Sequence, residues 1–286
     1  MTTRSRGARV ATLKALTWAL LALVSVGGCG SGNTSAPAQD KTIKLITSDL
    51  WILPEIIGIL KTEVARQGYV LDWMVVNDII QPNKLVDDGT ADANMFQHEP
   101  YFDQFVLDHG LKNVTRGFYT YFVPSGLFSK KYKSLDQLPE GATIGIPVDP
   151  ANNGRALFML RDKGLLQLRD GIEVTHASQK DITGNPHHYH FKEVDQLMQQ
   201  RTLEDVDAGF LFLNYAIMIG FNPTRDALAL EDPHTPTYRG IVAIRKELVG
   251  APKIKALQNA FSSEALRGFL RGKYGDAIVF LDYLNK

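Results

Sequence analysis

Residues 41–76 read KTIKLITSDLWILPEIIGILKTEVARQGYVLDWMVV, and the spacing of their apolar side chains changes twice. Thr42 to Thr47 alternates with period two, which predicts a strand. Pro54 then opens a stretch in which Ile56, Ile57, Leu60 and Val64 share one helical face. Proline is tolerated there because the first turn of a helix has no use for its missing N–H. Gly68 can adopt the left-handed conformation that ends such a helix. Tyr69, Leu71, Trp73 and Val75 alternate again, so a second strand follows. A strand, a helix and a strand in this succession mark an α/β domain.

Toward the C-terminus the alternation continues. Pro82 starts a short helix in PNKLVDDG, Ala91 to Phe96 is expected to be a strand, and a helix runs from Pro100 through His109. A second set begins near Tyr121. It has a strand at Thr143 to Ile146, a helix over GRALFMLRDKGLL from about Asn153 to Gly164, and a strand around Val174. A helix from Phe191 to Gln200, a buried strand in AGFLFL at 208–213 and a helix from Asn214 complete it. Two stretches, Tyr119 to Ser129 and Tyr238 to Arg245, have extended character and lie between the sets, as hinge crossover strands would. The last ~40 residues are rich in helix formers and are expected to pack back on the first set. The layout predicts a two-lobed, clamshell-like α/β binding protein, with 42–121 plus 240–286 as lobe 1 and 122–239 as lobe 2. Periodicity alone equally admits a single doubly wound domain.

Residues 1–28 carry Arg4, Arg6, Arg9 and Lys14, no acid, and then the apolar run ALTWALLALVSV. That is the composition of a secretory signal peptide. The run falls short of the ~20 apolar residues that cross a bilayer as a helix, so a permanent transmembrane anchor is not expected. The one cysteine, Cys29, ends this run in VGGC. The string resembles a bacterial lipobox, in which the leader is cut before the cysteine and the thiol is acylated. GSGNTSAPAQD at 30–40 is small and polar and cannot collapse into a core, so residues 29–41 are expected to be a lipidated cysteine and a flexible tether. A single cysteine excludes an intrachain disulfide and a multi-cysteine zinc site. Basic and acidic side chains balance at 31 each. Without a basic stripe to neutralise phosphates, nucleic-acid binding is excluded, and lipid rather than a polybasic patch would hold the protein at a membrane.

Three strings carry more than periodicity does: DANMFQHEPYFDQF at 92–105, IPVDPANNGRALFML at 146–160 and DVDAGFLFLNYAIMIGFNPTRDAL at 205–228. With the intervening IIQPNK, SLDQLP and DITGNPHHYHFKEVD, their order and spacing resemble the NlpA/MetQ-type family of methionine-binding lipoproteins from about Thr42 to the C-terminus. The resemblance implies a periplasmic-binding-protein clamshell (type II-like) that serves as substrate receptor of a bacterial ABC importer. It implies a small amino acid in the cleft, a permease and ATPase as partners, and a lipid anchor in the cell envelope. A monomer without a cofactor is expected.

A free amino acid presents a carboxylate and an ammonium, and burying both is costly unless each is paired and hydrogen-bonded. Arg155, near a helix start, offers a guanidinium fork for the carboxylate. Asn152 and Asn153 precede it, and Asn214, directly after a buried strand, offers an oxygen to the ammonium. The resemblance assigns Asn152, Arg155 and Asn214 to the ligand's backbone end, and Phe96, His98 and Tyr101 to its side-chain end. The alternatives are a surface salt bridge for Arg155, helix caps for the asparagines and a core position for Phe96. Aromatic walls suit a thioether, since sulfur against a ring gains ~0.3–1.5 kcal/mol. The chain departs from the family at Ile79, where an aromatic is usual, in its first loop TSDLWILPEI and in its return segment HTPTYRG. Trp51 or Tyr238 is the candidate to refill the volume lost at Ile79. Methionine, another apolar amino acid and a short peptide all remain open.

The sequence admits two rival classes. His187, His188 and His190 crowd one loop and define a zinc-binding alternative, but they lack the i, i+4 helical spacing and a nearby acidic run. An enzyme is not expected, because no G-x-S-x-G elbow, H-E-x-x-H or phosphate loop occurs, and Asp149 and His98 have no nucleophile between them.

Overall fold

The first strand, β1 (Thr42–Ser48), places Ile43 and Leu45 on one face of a sheet and Ile46 on the other, all fully buried. The structure is a computed structural model and describes residues 40–48, 54–232 and 237–285. The expected leader, Cys29, the tether up to residue 39 and Trp51 lie outside the described residues. Helix α1 (Pro54–Arg66) lays Ile56, Leu60 and Val64 against the Leu45 face. Then follow β2 (Val70–Val76), α2 (Gln81–Asp87), β3 (Ala93–His98), α3 (Glu99–His109) and β4 (Val114–Tyr119). Burial of each such aliphatic side chain stabilises by roughly 1.5–3 kcal/mol.

After β5 (Tyr121–Phe122) come β6 (Ser125–Phe128), β7 (Thr143–Pro147), α4 (Pro150–Asp162), the separate antiparallel pair β8 (Gln167–Leu168) and β9 (Ile182–Gly184), and β10 (His190–Val194). Helix α5 (Gln199–Thr202), β11 (Ala208–Phe212), α6 (Leu213–Met218), α7 (Pro223–Asp226) and β12 (Ala229–Leu230) follow. Then come β13 (Gly240–Arg245), α8 (Pro252–Phe261), α9 (Glu264–Tyr274) and β14 (Val279–Phe280).

The first sheet has the order β2-β1-β3-β13-β4, and the second β10-β7-β11-β6-β12. In the first, β1 runs parallel to β2 and β3, while β13 is antiparallel to both its neighbours. In the second, β7 is parallel to β10 and β11, and β6 is antiparallel to β11 and β12. Ile254, Leu257 and Ala260 of α8 join the α1 side of the first sheet, whereas Val86, Phe102 and Ile241 cover its opposite face. Ile144, Leu157, Leu160, Phe210 and Phe212 form a separate core under the second sheet.

The β4–β13 ladder extends to the edge of the first sheet. Thr120 N–H donates to Gly240 O at 2.9 Å, and a Cβ on Gly240 would lie 2.3 Å from the Tyr121 carbonyl oxygen. Only a residue without a side chain fits that approach. Of the stretch 238–245, the part from Gly240 onward is not a crossing but an interior strand of the first sheet.

Two expected elements differ. Phe191 to Gln200 is not a helix: β10 pairs with β7 from His190↔Thr143 to Val194↔Pro147, and a 3-10 turn (Gln196–Met198) and α5 follow. The helix-forming Lys192 and Glu193 are overridden by this parallel ladder at the sheet edge. Val174 is in a 3-10 turn (Val174–His176) instead of a strand. Its carbonyl oxygen sits 1.7 Å from where a Gly154 Cβ would be. The close approach of that turn to α4 sets its conformation.

Candidate functional site

The carboxyl ends of β3, β7 and β11 converge, and in open α/β sheets ligands bind outside such strand ends. At the last residue of β3, His98 caps α3: its side chain accepts from Tyr101 N–H at 3.2 Å, with Pro100 in the first turn. Two residues beyond β7, Asp149 caps α4, accepting from Asn152 N–H at 3.0 Å, with Pro150 at the first helical position. Asn214 lies in the first turn of α6, two residues beyond the end of β11. Each strand therefore hands a polar side chain to the seam between the sheets through a helix start, whose orphan N–H groups need an acceptor.

The His98 ring has a defined tautomer. Nδ1 accepts from Tyr101 N–H, so the proton is on Nε2, which donates to Asn152 Oδ1 across the seam at 2.9 Å. Burial, and secondarily the Arg155 charge, hold the imidazole at a pKa of about 3, so the ring is neutral. Asn152 Nδ2 donates to Asp149 Oδ1 at 3.0 Å, and Gln196 Nε2 donates to Asp149 Oδ2 at 2.7 Å. Burial raises the Asp149 carboxyl above the usual carboxylate range.

Aromatic rings surround this line. Phe96 meets Tyr101 edge-on at 5.9 Å, and His98 meets Tyr238 at 5.2 Å. Tyr101 donates its hydroxyl to the Ile79 carbonyl at 2.9 Å. The backbone of Ile79 thus anchors a ring of the site, although its side chain supplies no aromatic wall. Tyr238 lies over the Arg155 guanidinium at 4.1 Å.

Arg155 is buried in α4, but not as an empty fork. Its Nε and Nη2 each donate to Glu231 at 2.6 Å, a bidentate pair that leaves Nη1 outside it. Arg155 and Asn214 border, with Phe96, His98, Thr120 and Tyr238, a cavity of about 30 Å³. That is room for a water or two. The Thr120 hydroxyl is buried in this wall without a hydrogen-bond partner.

The six residues expected at the site, Phe96, His98, Tyr101, Asn152, Arg155 and Asn214, are thus gathered at one seam, on or beside two small cavities. Asn153 is turned elsewhere, donating to Pro147 O at 2.9 Å and Glu193 Oε1 at 3.2 Å. Glu231, Gln196 and Thr120 had no place in the sequence reading. Glu231 alone left a trace there, as an acid immediately after the apolar ALAL of 227–230. In the histidine loop, His187 stacks on Tyr189 at 5.1 Å and His188 Nε2 lies 3.6 Å from Glu140. Among the described residues no group of three His, Cys, Asp or Glu is placed to hold a metal. No helix among them is long and apolar enough to cross a membrane.

Two mixed sheets, with polar and aromatic groups meeting at their facing strand ends, define a two-lobed substrate-binding protein. Comparison with known proteins agrees and is more specific: residues 54–280 match the NlpA lipoprotein model, and the chain belongs to that family. The methionine-binding lipoprotein MetQ of Bacillus subtilis is 34% identical over 274 residues, 93% of this chain and 98% of the relative. The D-methionine-binding lipoprotein MetQ of Escherichia coli K12 is 32% identical over 250 residues, 86% of this chain and 89% of the relative. Among solved structures, a nutrient-binding protein from Burkholderia cenocepacia bound to methionine superposes with a TM-score of 0.77 at 34% identity, covering 83% of this chain and 99% of that one.

Proposed function

We propose that this chain is the substrate-binding lipoprotein of an ABC importer and that it carries methionine, or a closely related small amino acid, in the seam between its lobes to a permease and its ATPase. The observation that carries the reading is the hydrogen bond from His98 on the first sheet to Asn152 on the second, set beside Arg155 and Asn214. It makes the seam a junction of two bodies lined with both polar and aromatic groups. The similarity to a relative solved with methionine supplies the ligand class.

With lobe 1 as 42–121 plus 240–286 and lobe 2 as 122–239, Phe96, His98 and Tyr101 belong to the first lobe and Asn152, Arg155 and Asn214 to the second. The present cavity of about 30 Å³ is smaller than an amino acid, so entry requires the lobes to part and the His98–Asn152 bond to break. A ligand that then touches both lobes favours reclosure by the contacts it makes only in the closed state. Phe96, Tyr101 and Tyr238 receive the thioether side chain, Arg155 Nη1 addresses the carboxylate, and Asn214 takes the ammonium. The role is binding without catalysis, as a monomer, with Cys29 acylated and the body tethered to the envelope face of a bacterial membrane. Calorimetric titration with L- and D-methionine, together with mass spectrometry of ligand released on denaturation, tests the reading. A zinc signal with no amino-acid heat would replace it with the metal-binding alternative.

A further inference from the structure

Glu231 reaches Arg155 from the side away from the seam. It does not border the small cavity beside His98 and Asn214 but lines a larger groove of about 650 Å³ on the other side of the guanidinium. Its two oxygens take Nε and Nη2, and Oε2 also accepts Ser125 N–H at 2.6 Å. The pair is buried, with 1% of the Arg155 side chain and 10% of Glu231 exposed.

This geometry has a steric and an electrical consequence. The Nε–Nη2 edge, which grips carboxylates bidentately, is already filled by the protein's own carboxylate. The charge of the guanidinium is cancelled locally, and the Asp149 carboxyl group lies beyond Asn152 in the same seam. A ligand with a carboxylate and no cation would bring an unpaired negative charge into a buried site that has no surplus positive charge, which is costly.

We propose that Glu231 is a specificity-determining residue: by occupying one edge of the Arg155 fork and cancelling its charge, it makes the seam select ligands that carry an ammonium beside the carboxylate. The inference rests on the reading of the seam as an amino-acid site. Removing the acid sets Arg155 free as an anion site, so discrimination against simple anions is lost while the aromatic end is untouched.

The test titrates wild type, Glu231→Gln and Glu231→Asp with methionine and with its α-hydroxy analogue, in which a hydroxyl replaces the ammonium. Wild type is expected to prefer methionine, and Glu231→Gln to shrink the ratio of the two affinities about tenfold or more. Glu231→Asp, which keeps the charge, is expected to retain the preference while binding both ligands more weakly. An equal loss for both ligands in Glu231→Gln would overturn the proposal. A second measurement does not depend on the amino-acid reading. Acetate at constant ionic strength should raise the melting temperature of Glu231→Ala and not of wild type, because it refills the vacated carboxylate position. No acetate effect would refute Glu231 as the group that fills the fork. Wild type binding neither ligand while acetate rescues the variant would instead fault the amino-acid reading.

Discussion

Replacing Arg155 by methionine separates what this residue does for folding from what it does for binding. The substitution keeps an unbranched chain in α4 but deletes two charge-assisted hydrogen bonds of 2.6 Å to Glu231. Each is worth about 1.5–3 kcal/mol. It also removes the cation over the Tyr238 ring at 4.1 Å, a contact worth about 0.5–2 kcal/mol. The larger effect is on the partner left behind: Glu231, whose side chain is 10% exposed, becomes a nearly buried charge with only Ser125 N–H to satisfy it. Breaking a buried pair from one side costs about 3–5 kcal/mol, whereas replacing both partners with apolar groups of similar volume is often close to neutral. Arg155→Met is therefore expected to lose about 3–5 kcal/mol in urea unfolding with an unchanged m-value, and Arg155→Met with Glu231→Leu to recover most of that loss. Neither variant should bind methionine. A single variant within about 1 kcal/mol of wild type, or a double variant no more stable than the single, would refute the account of the pair.

The remaining predictions concern pH, packing and anchoring. Because His98 is held neutral with a pKa of about 3 against an ordinary 6.5, the unfolded chain takes up a proton below pH 6.5 that the native ring refuses until near pH 3. Stability therefore falls as pH drops through that window, by about 2 kcal/mol at pH 5. Asp149, whose carboxyl is raised by burial, contributes with the opposite sign as pH falls towards the ordinary carboxylate value. His98→Gln should flatten the slope between pH 7 and 5 in denaturant titrations, and an unchanged slope would contradict the assignment. Gly154→Ala would gain about 1 kcal/mol on helix propensity alone, yet its Cβ would sit 1.7 Å from the Val174 carbonyl oxygen. A net loss of stability and of methionine affinity is expected by thermal melting and calorimetry, and a stabilised, fully binding variant would contradict the packing. Cys29→Ser should give a protein without acyl chains that partitions into the aqueous phase of a detergent extraction. Wild-type Cys29 found unmodified by mass spectrometry would exclude the anchor.

How much of this could be read in the chain varied with the range of the forces involved. Elements held by their own periodicity were legible, as with Ile43 and Leu45 in β1 and Ile56, Leu60 and Val64 in α1. The histidine and aspartate caps were written plainly as HEP at 98–100 and DPAN at 149–152, each a polar acceptor ahead of a proline at a helix start, but only the structure shows them as caps. The strand at His190–Val194 was hidden because Lys192 and Glu193 favour helix, and only the distant β7 supplies the competing ladder. Arg155 was found through its motif, while its partner 76 residues away was not, since no local rule links an arginine on one helix to an acid in a return segment. The candidate site was therefore legible as a set of residue types, and its internal charge pairing was not.

The placement of β13 between β3 and β4 sets an order of assembly. The second sheet uses only strands from 125–230, so all its partners exist once that stretch has been made. The first sheet lacks an interior strand until residue 245 has left the ribosome, and until then β3 and β4 have open edges facing each other. The first domain to begin is thus the last to close.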